Sequence, residues 1–266
     1  MRNLNNLRNN PWPEIKSGKE DKPAIMVDGA IYSVNDLGGE TLKGDIAYVI
    51  GSNAKTIEKI CANLNPVSIQ FYEMRVDDLS VLDSFDRLES LSIKWNTKVT
   101  DIEALSKHQG LKDLILDDTP KVCSLEPISK LKNLLHFEFG GGIWNNNSLD
   151  NLSPISELNA LESLILNSIR VKDGSLRPIA KCQNLKYLEV CNRFKTEEYA
   201  YLAAHLPNTE CDMFKAYVEL HHSFGSDNIM VVGSRKPFLN PDKDKDRIKK
   251  YDDKFAALVN EYSLNK

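Results

Sequence analysis

The chain has 266 residues, of which 41% are hydrophobic and 27% are charged, and it carries a formal net charge of −4. This composition excludes a disordered chain and can fill a substantial core. The first residues, from Met1 to Asn6, lack the apolar run of a secretory signal, and no stretch of about 18 apolar residues could span a bilayer. We therefore expect a soluble, cytoplasmic protein with no membrane partner.

The charge is unevenly distributed along the chain. Residues 64–214 carry 16 basic and 22 acidic side chains, whereas residues 215–266 carry 10 and 8. A net acidic central part repels the phosphate backbone of a nucleic acid. Nucleic acid is therefore not the expected ligand.

Residues 1–63 are predicted to form an N-terminal segment and cap. Two short apolar stretches, residues 25–27 and 30–32, flank Asp28-Gly29, a dipeptide that favours a tight hairpin. A strand is predicted at Ile46–Ile50, and the apolar residues from Ile57 to Leu64 have helical spacing.

An internal repeat dominates residues 64–214. The pattern L-x-x-L-x-L, or a close variant, begins at Leu88, Leu111, Leu134, Leu161 and Leu185, at spacings of 23, 23, 27 and 24 residues. A period of this length is typical of a solenoid in which each unit contributes one strand and one short helical turn. Scattered core leucines of an unrelated fold would not return at such regular intervals.

A second pattern precedes these segments in phase. Pro127, Pro154 and Pro178 each follow a leucine by two residues, and each falls where the first turn of a helix needs no amide hydrogen. Two patterns that share one period strengthen the prediction of stacked structural units.

These motifs resemble the leucine-rich repeat family, in particular its short-repeat bacterial and protein-phosphatase-regulator types. The resemblance implies an α/β fold: a right-handed solenoid, or horseshoe, with a parallel β-sheet on the concave side, short helices on the convex side and a cap at each end. The asparagine that follows the strand in this family is clear only at Asn96. The equivalent places are assigned to Thr119, Gly142, Ile169 and Arg193.

The residues that alternate with the inward leucines are predicted to share the concave face, because successive side chains of a strand point to opposite faces. They combine acidic groups with aromatic and aliphatic side chains, a mixture typical of protein-binding surfaces. The resemblance also implies ligand binding on this side; the alternative is an ordinary solvated sheet. The residues predicted to bind a partner are Ser92, Lys94, Trp95, Asp113, Ile115, Asp117, Asp118, His136, Glu138, Ile165, Asn167, Tyr187 and Glu189.

The one glycine cluster, residues 140–142, follows a repeat strand and begins the longest interval between strands. We interpret it as the start of a loop excursion through residues 145–147 rather than as a phosphate cradle. Loops inserted in solenoid repeats often border the binding face, so Trp144 joins the predicted protein-binding residues.

Residues 215–266 are predicted to form a C-terminal cap. A strand is expected at residues 229–232, and Asn240-Pro241 predicts the start of a helix whose apolar face runs from about residue 241 to 262. We expect that face to pack on the last repeat, with a peptide-like partner helix as the alternative.

No motif for catalysis or for a cofactor is present. The chain has no G-x-x-x-x-G-K-[ST], G-x-G-x-x-G or H-E-x-x-H motif, and its five cysteines show no C-x-x-C spacing. Cys61 and Cys182 stand where the repeat needs apolar residues, so buried reduced thiols are expected. His221-His222 would point to opposite sides of an extended chain, and Arg235-Lys236 is expected to make cap contacts rather than bind phosphate.

The sequence thus predicts a non-enzymatic module that binds a protein of basic or mixed charge, needs no cofactor and is monomeric when unbound. An adaptor or an inhibitor, including an immunity protein that blocks a toxin, would fit this description. The alternative is a subunit of an enzyme complex with a site in the terminal segments, near His221 or Glu219. A surface adhesin conflicts with the absence of a signal segment.

Overall fold

The computed structural model describes residues 23–38, 40–142, 146–220 and 228–265. Within these ranges, no helix has both the length and the apolar character needed to cross a membrane.

An antiparallel hairpin covers the N-terminal edge of the main sheet. Strands β1 (Ala24–Val27) and β2 (Ala30–Ser33) pair with each other, and β1 also pairs antiparallel with β3 (Ile46–Ile50). Asp28 and Gly29 both have positive φ, as the two central residues of the predicted tight turn require. The predicted helical segment follows β3 as α1 (Ile57–Ala62).

From β3 onward the main sheet is parallel, with one strand for each repeat. The further strands of this sheet are β4 (Ser68–Tyr72), β5 (Ser90–Lys94), β6 (Asp113–Asp117), β7 (His136–Gly140), β9 (Ser163–Asn167) and β11 (Tyr187–Val190). The nine-stranded sheet has the order β11-β9-β7-β6-β5-β4-β3-β1-β2. A second parallel pair, β8 (Asn147–Leu149) and β10 (Ile169–Val171), lies just beyond β7 and β9 in sequence.

Short 3₁₀ helices return the chain from each strand to the next. They span Ser80–Ser84, Glu103–Lys107, Glu126–Lys130, Ser153–Glu157 and Arg177–Lys181. In the last three a proline occupies the first turn, as the sequence predicts. The sequence prediction of an α/β leucine-rich repeat solenoid is confirmed by this alternation of parallel strands and short helical turns.

The leucines of the repeat form one continuous core. Leu91, Leu114, Phe137, Leu164 and Leu188 lie in register on neighbouring strands, and all of them are buried. Burying a leucine side chain stabilises a fold by about 1.5–3 kcal/mol. One repeat alone would leave these side chains in water, so stacking is what stabilises the chain.

In the regular repeats, a column of residues lies two positions beyond the strands. One member of this column differs from the sequence assignment. Asn96 donates through Nδ2 to the Val76 carbonyl at 3.0 Å and is buried, as expected for the asparagine of this family. In the repeat that follows β7, the buried residue paired with Ile169 is Asn147, not Gly142. The interval after Gly140 is longer than in the other repeats, so counting from the strand gave the wrong position. The prediction that Asn147 lies in a loop is also corrected, because Asn147 begins a strand and is buried.

The C-terminal cap consists of two helices and a small sheet. Helix α2 (Thr196–His205) follows β11 and packs against α3 (Lys245–Leu264). Strands β12 (Tyr217–Glu219), β13 (Ile229–Val231) and β14 (Phe238–Leu239) form an antiparallel sheet, which includes the predicted strand. Phe255 is buried in the main core, so the apolar face of α3 packs on the protein itself.

The predicted start of the last helix was wrong by four residues. Asn240 accepts hydrogen bonds on Oδ1 from the amides of Asp242 and Lys243, at 3.0 and 3.1 Å, which forms a turn instead of the first helical turn. Asp244 then accepts a bond from the Asn240 amide at 3.0 Å, and α3 begins at Lys245.

The cysteines only partly match the prediction of buried thiols. Cys61 and Cys182 are buried, and burial raises the pKa of each thiol to about 12. Cys123 is exposed, because it lies in the segment between β6 and the following 3₁₀ helix rather than at a core position of the repeat.

Candidate protein-binding surface

The parallel register aligns the outward side chains of the main sheet in rows across the repeats. We call these rows, together with Trp95 and Asp118 at their margin, the concave surface. Its middle row runs through Gln70, Ser92, Ile115, Glu138, Ile165 and Glu189. One flanking row contains Ser68, Ser90, Asp113, His136, Ser163 and Tyr187, and the other contains Tyr72, Lys94, Asp117, Gly140 and Asn167.

Five of the residues predicted to bind a partner on this surface are buried. They are Ser92, Asp113, Ile115, His136 and Ile165. Neighbouring strands of a sheet lie only about 4.8 Å apart, so adjacent side chains of the sheet can cover one another. These five residues form a floor beneath the exposed side chains.

Polar groups in this floor are unevenly satisfied. Ser90 donates through Oγ to the Asp113 carboxylate at 2.6 Å. Among the described residues, neither ring nitrogen of His136 nor the hydroxyl of Ser92 has a hydrogen-bond partner, although both residues are buried. His136 Nε2 lies 3.8 Å from a Glu138 carboxylate oxygen, too far for a hydrogen bond. Buried polar groups without partners leave hydrogen-bonding capacity that a ligand can use.

Carboxylates gather in the middle of the concave surface. Burial raises the pKa of Asp117, and the nearby carboxylates of Glu138 and Asp118 raise it further, whereas Lys94 lowers it. Asp118, at the end of the strand, accepts a hydrogen bond from the Gly142 amide at 3.3 Å. A Cβ on Gly142 would lie 2.7 Å from the Asp118 carboxyl carbon, so a larger residue there would require the Asp118 side chain to move. The result is a locally negative surface that favours a cationic ligand.

Trp95 is the exposed aromatic side chain of this surface. It has positive φ, in the turn just after β5, and 43% of its surface is exposed. Glu73, Asp118 and Ser168 have the same left-handed backbone at the equivalent places after β4, β6 and β9. The Trp95 amide donates to the Asp117 carbonyl at 2.9 Å, which joins this turn to the neighbouring repeat.

The C-terminal end of the concave surface contains an acidic cleft of about 380 Å³. Glu189 accepts hydrogen bonds from Asn167 Nδ2 at 2.8 Å and from the Tyr187 hydroxyl at 3.1 Å. Burial, together with this carboxylate, raises the pKa of Tyr187 to about 12, so its hydroxyl stays protonated and donates. Glu210 and Asp212 line the same cleft.

Sequence reasoning missed Tyr72, Glu210 and Asp212 in this surface. Tyr72 was missed because the first repeat is degenerate and its strand was read only as far as residue 70. Glu210 forms a parallel bridge with Tyr187 and so extends the sheet past β11, where no further leucine pattern marks a strand. Trp144 lies outside the described residues, as do His221 and His222.

The alternative of a catalytic site concerns the terminal segments, of which the structure describes residues 23–38, 40–63, 215–220 and 228–265. Glu219 is exposed at the end of β12. The cleft between α2 and α3 is lined mostly by apolar side chains, with Asp252 and Lys215 as its charged residues. No group of three or more potential metal ligands occurs in the ranges that the structure describes.

No protein-family model matches the chain, and no curated protein matches it. Solved structures, in contrast, do match the chain. Internalin C2 of Listeria monocytogenes is 22% identical, with a TM-score of 0.48 over 69% of this chain and 74% of that chain. Internalin F of the same organism is 19% identical, with a TM-score of 0.38 over 69% and 63%.

A third match is the leucine-rich repeat ectodomain of the plant receptor kinase GASSHO1/SCHENGEN3 from Arabidopsis thaliana, solved in complex with CASPARIAN STRIP INTEGRITY FACTOR 2. It is 22% identical, with a TM-score of 0.44 over 61% of this chain and 19% of that chain. The present chain thus spans about a fifth of that ectodomain. The fold assignment rests on the strands, turns and core described above.

Proposed function

We propose that this leucine-rich repeat protein binds a protein partner along the concave surface, and that the partner presents basic or mixed charge. The observation that carries the proposal is the line of carboxylates, from Asp117 and Asp118 through Glu138 to Glu189, above a floor of packed side chains. A rigid sheet that holds charged groups at fixed spacing is suited to bind a surface without rearranging.

An aromatic anchor lies at one side of this line. Trp95 combines an exposed indole with a fixed position, because its ring packs edge-on against Tyr72. Tryptophan is enriched among the few residues that supply most of the binding energy of an interface. Its low side-chain flexibility also reduces the entropy lost on binding.

The desolvated carboxylate of Asp117 favours a cationic partner group. Burial and neighbouring acids already disfavour its charged form in the unbound protein. A lysine or arginine brought close to it would relieve that repulsion and form a charge-assisted hydrogen bond. The acidic cleft beside Glu189 offers a second place for such a side chain.

A narrower proposal is an adaptor or an inhibitor, for example an immunity protein that covers a basic functional surface of a toxin. The acidic concave surface supports it by charge complementarity, which speeds the encounter with a basic protein and selects against acidic ones. We propose further that the protein works without a cofactor and that it is a monomer before it binds.

The test uses a photo-reactive benzoylphenylalanine in place of Trp95, expressed in the native host, with the same residue at Lys181 on the convex 3₁₀ helix as control. The protein that cross-links at position 95 is identified, purified and titrated against the chain. We expect Trp95→Ala to weaken binding roughly tenfold to hundredfold, since an aromatic anchor of an interface contributes about 1–3 kcal/mol or more. Phe238→Ala is the matched control, because Phe238 is 55% exposed and lies in β14, outside the concave surface.

The proposal also predicts the effect of charge. The double variant Asp117→Asn with Glu189→Gln should weaken binding mainly through slower association, and added salt should reduce the difference between it and the wild type. A partner that cross-links equally from Lys181, or that binds Trp95→Ala and Phe238→Ala with equal affinity, would exclude the concave surface as the binding site.

A further inference from the structure

A basic cleft lies at the junction between the last repeats and the C-terminal cap. Its volume is about 770 Å³. Four exposed cationic side chains line it: Arg170 from β10, Arg193 and Lys195 from the segment between β11 and α2, and Arg235 from the turn after β13. The remaining charged residues of its lining are Asp173 and Glu198, which leaves a net positive cleft on a protein whose net charge is −4.

The four cations are not neutralised by carboxylates of the described residues. Arg193 donates to the side chain of Asn146, a neutral group. No ion pair within the described ranges involves any of the four, whereas most other basic side chains of the repeats, such as Lys112 and Lys172, pair with an acid. Like charges brought together without counter-charges repel each other, and an anion would remove that repulsion.

The acids of the cleft are occupied elsewhere. Glu198 accepts hydrogen bonds on Oε2 from the Leu176 amide at 2.8 Å and the Ser175 hydroxyl at 3.2 Å, and Arg177 Nε lies 3.3 Å from Oε1. Asp173 accepts a hydrogen bond from the Ser175 amide at 3.0 Å. Within the described ranges, neither carboxylate forms an ion pair with any of the four cations.

Hydrogen bonds fasten the turn that carries Arg235 to the segment that carries Arg193 and Lys195. Asn192 donates through Nδ2 to the Val231 carbonyl at 3.0 Å and accepts from the Gly233 amide at 2.6 Å, which fastens the turn after β13 to the last repeat. The Ser234 amide donates to the Phe194 carbonyl at 2.6 Å. Arg235, with positive φ, follows directly in the same turn. The cleft is thus built by separate segments, and two of these, the one after β11 and the turn after β13, are hydrogen-bonded together.

We propose that this cleft binds a phosphate-bearing small molecule. Arginine guanidinium groups present paired donors that match phosphate oxygens, and lysine adds a point charge. The volume lies within the range of about 300–1,000 Å³ that is usual for small-molecule sites. The site is separate from the concave surface, because none of its lining residues belongs to the rows defined above.

Inorganic pyrophosphate, inorganic phosphate and a nucleoside diphosphate are the probes, each titrated into the intact chain by isothermal calorimetry at low salt. We expect saturable one-to-one binding of at least one probe with a dissociation constant below about 1 mM. Arg170→Gln with Lys195→Gln should weaken it at least tenfold, since each removes a charge-assisted hydrogen bond. Lys55→Gln with Lys121→Gln, both exposed and outside the cleft, removes the same charge and should change affinity less than twofold.

Arg235→Glu is a second variant that reverses charge at the same cleft, and it should abolish binding of the same probe. Equal melting temperatures of the variants and the wild type would establish that folding is intact. The proposal is overturned if none of the three probes binds the wild type saturably. It is also overturned if the control pair loses as much affinity as the cleft pair, because binding would then follow net charge and not this cleft.

Discussion

The rings of Tyr72 and Trp95 meet edge to face, with centroids 5.8 Å apart and an interplanar angle of 63°. Tyr72 ends β4 and Trp95 directly follows β5, so the contact joins two neighbouring repeats at the margin of the concave surface. An aromatic pair of this geometry contributes about 0.5–1.5 kcal/mol beyond its buried area. Stacking of repeats therefore both builds the core and orients an exposed side chain.

Replacing Trp95 should affect binding more than folding. Because its indole is nearly half exposed, we expect Trp95→Ala to lower the free energy of unfolding by only about 1 kcal/mol, mainly through the lost contact with Tyr72. Trp95→Gly should be more stable than Trp95→Ala by roughly 0.5–1 kcal/mol, because glycine adopts the positive φ of this turn without strain. Urea denaturation of the two variants measures this difference; a glycine variant clearly less stable than the alanine variant would contradict the strained-turn assignment.

Asp117→Asn should stabilise the unbound protein at neutral pH. Its pKa in the folded chain is raised, so the folded state holds this proton more tightly than the unfolded state does. The ionised carboxylate destabilises the folded state. This destabilisation is absent at a pH below the pKa of Asp117 in the unfolded state, and it grows as the pH rises through the pKa in the folded state. In thermal melts from pH 4 to pH 8, the melting temperature of the variant should therefore rise relative to that of the wild type as the pH increases. A constant difference would mean that the carboxylate is not desolvated.

The two internal asparagines should contribute unequally to stability. Asn96 donates to the Val76 carbonyl and accepts on Oδ1 from the amides of Lys98 and Val99 at 2.9 and 3.1 Å. Asn147 donates to the Thr119 carbonyl at 3.0 Å, but its Oδ1 has no partner among the described residues. We expect Asn96→Ala to cost about 2–4 kcal/mol and Asn147→Ala about 1–2 kcal/mol. Guanidinium denaturation of both variants, with exposed Asn159→Ala as control, would refute this ranking if the order were reversed.

Gly233 should be essential for the docking of the C-terminal cap. A Cβ at this position would lie 2.2 Å from Thr196 Oγ1, and the backbone φ of +130° is unfavourable for other residues. We expect Gly233→Ala to destabilise the protein by about 2 kcal/mol or more, because Thr196 also donates to the Val232 carbonyl at 2.9 Å and cannot retreat without losing that bond. Gly174→Ala is the control: its φ is also positive, but no atom lies within 4 Å of its added Cβ. Equal losses in the two variants would show that backbone strain, and not the contact with Thr196, sets the cost.

The fold was predictable because a solenoid repeats the same local requirement. Leu114 and Leu164 occupy equivalent positions in different repeats, so each confirms the register predicted from the other. The proline at position 127 and its equivalents gave the helical turns for the same reason. Where the repeat is interrupted, prediction was less successful: the loop after Gly140 hid the structural role of Asn147.

The exposure of each side chain in the candidate site could not be predicted from the alternation of residues along a strand. Period-two geometry places Ile115 and Glu138 on the same face, and the register agrees, but Ile115 is buried and Glu138 is not. The difference depends on the size of the side chains around each residue, and those on the neighbouring strands come from repeats more than 20 residues away in sequence. The basic cleft was missed for a similar reason: Arg235 was expected to make cap contacts rather than bind phosphate, and its place in one cleft with Arg170 depends on the docking of the cap.

The most direct test of the binding proposal is hydroxyl-radical footprinting of the chain, alone and in complex with the partner identified by cross-linking. The oxidation rates of Trp95 and Tyr187, on the concave surface, should fall several-fold on binding, while that of Phe238 in β14 should stay unchanged. Protection of Phe238 with no change at Trp95 and Tyr187 would contradict the account.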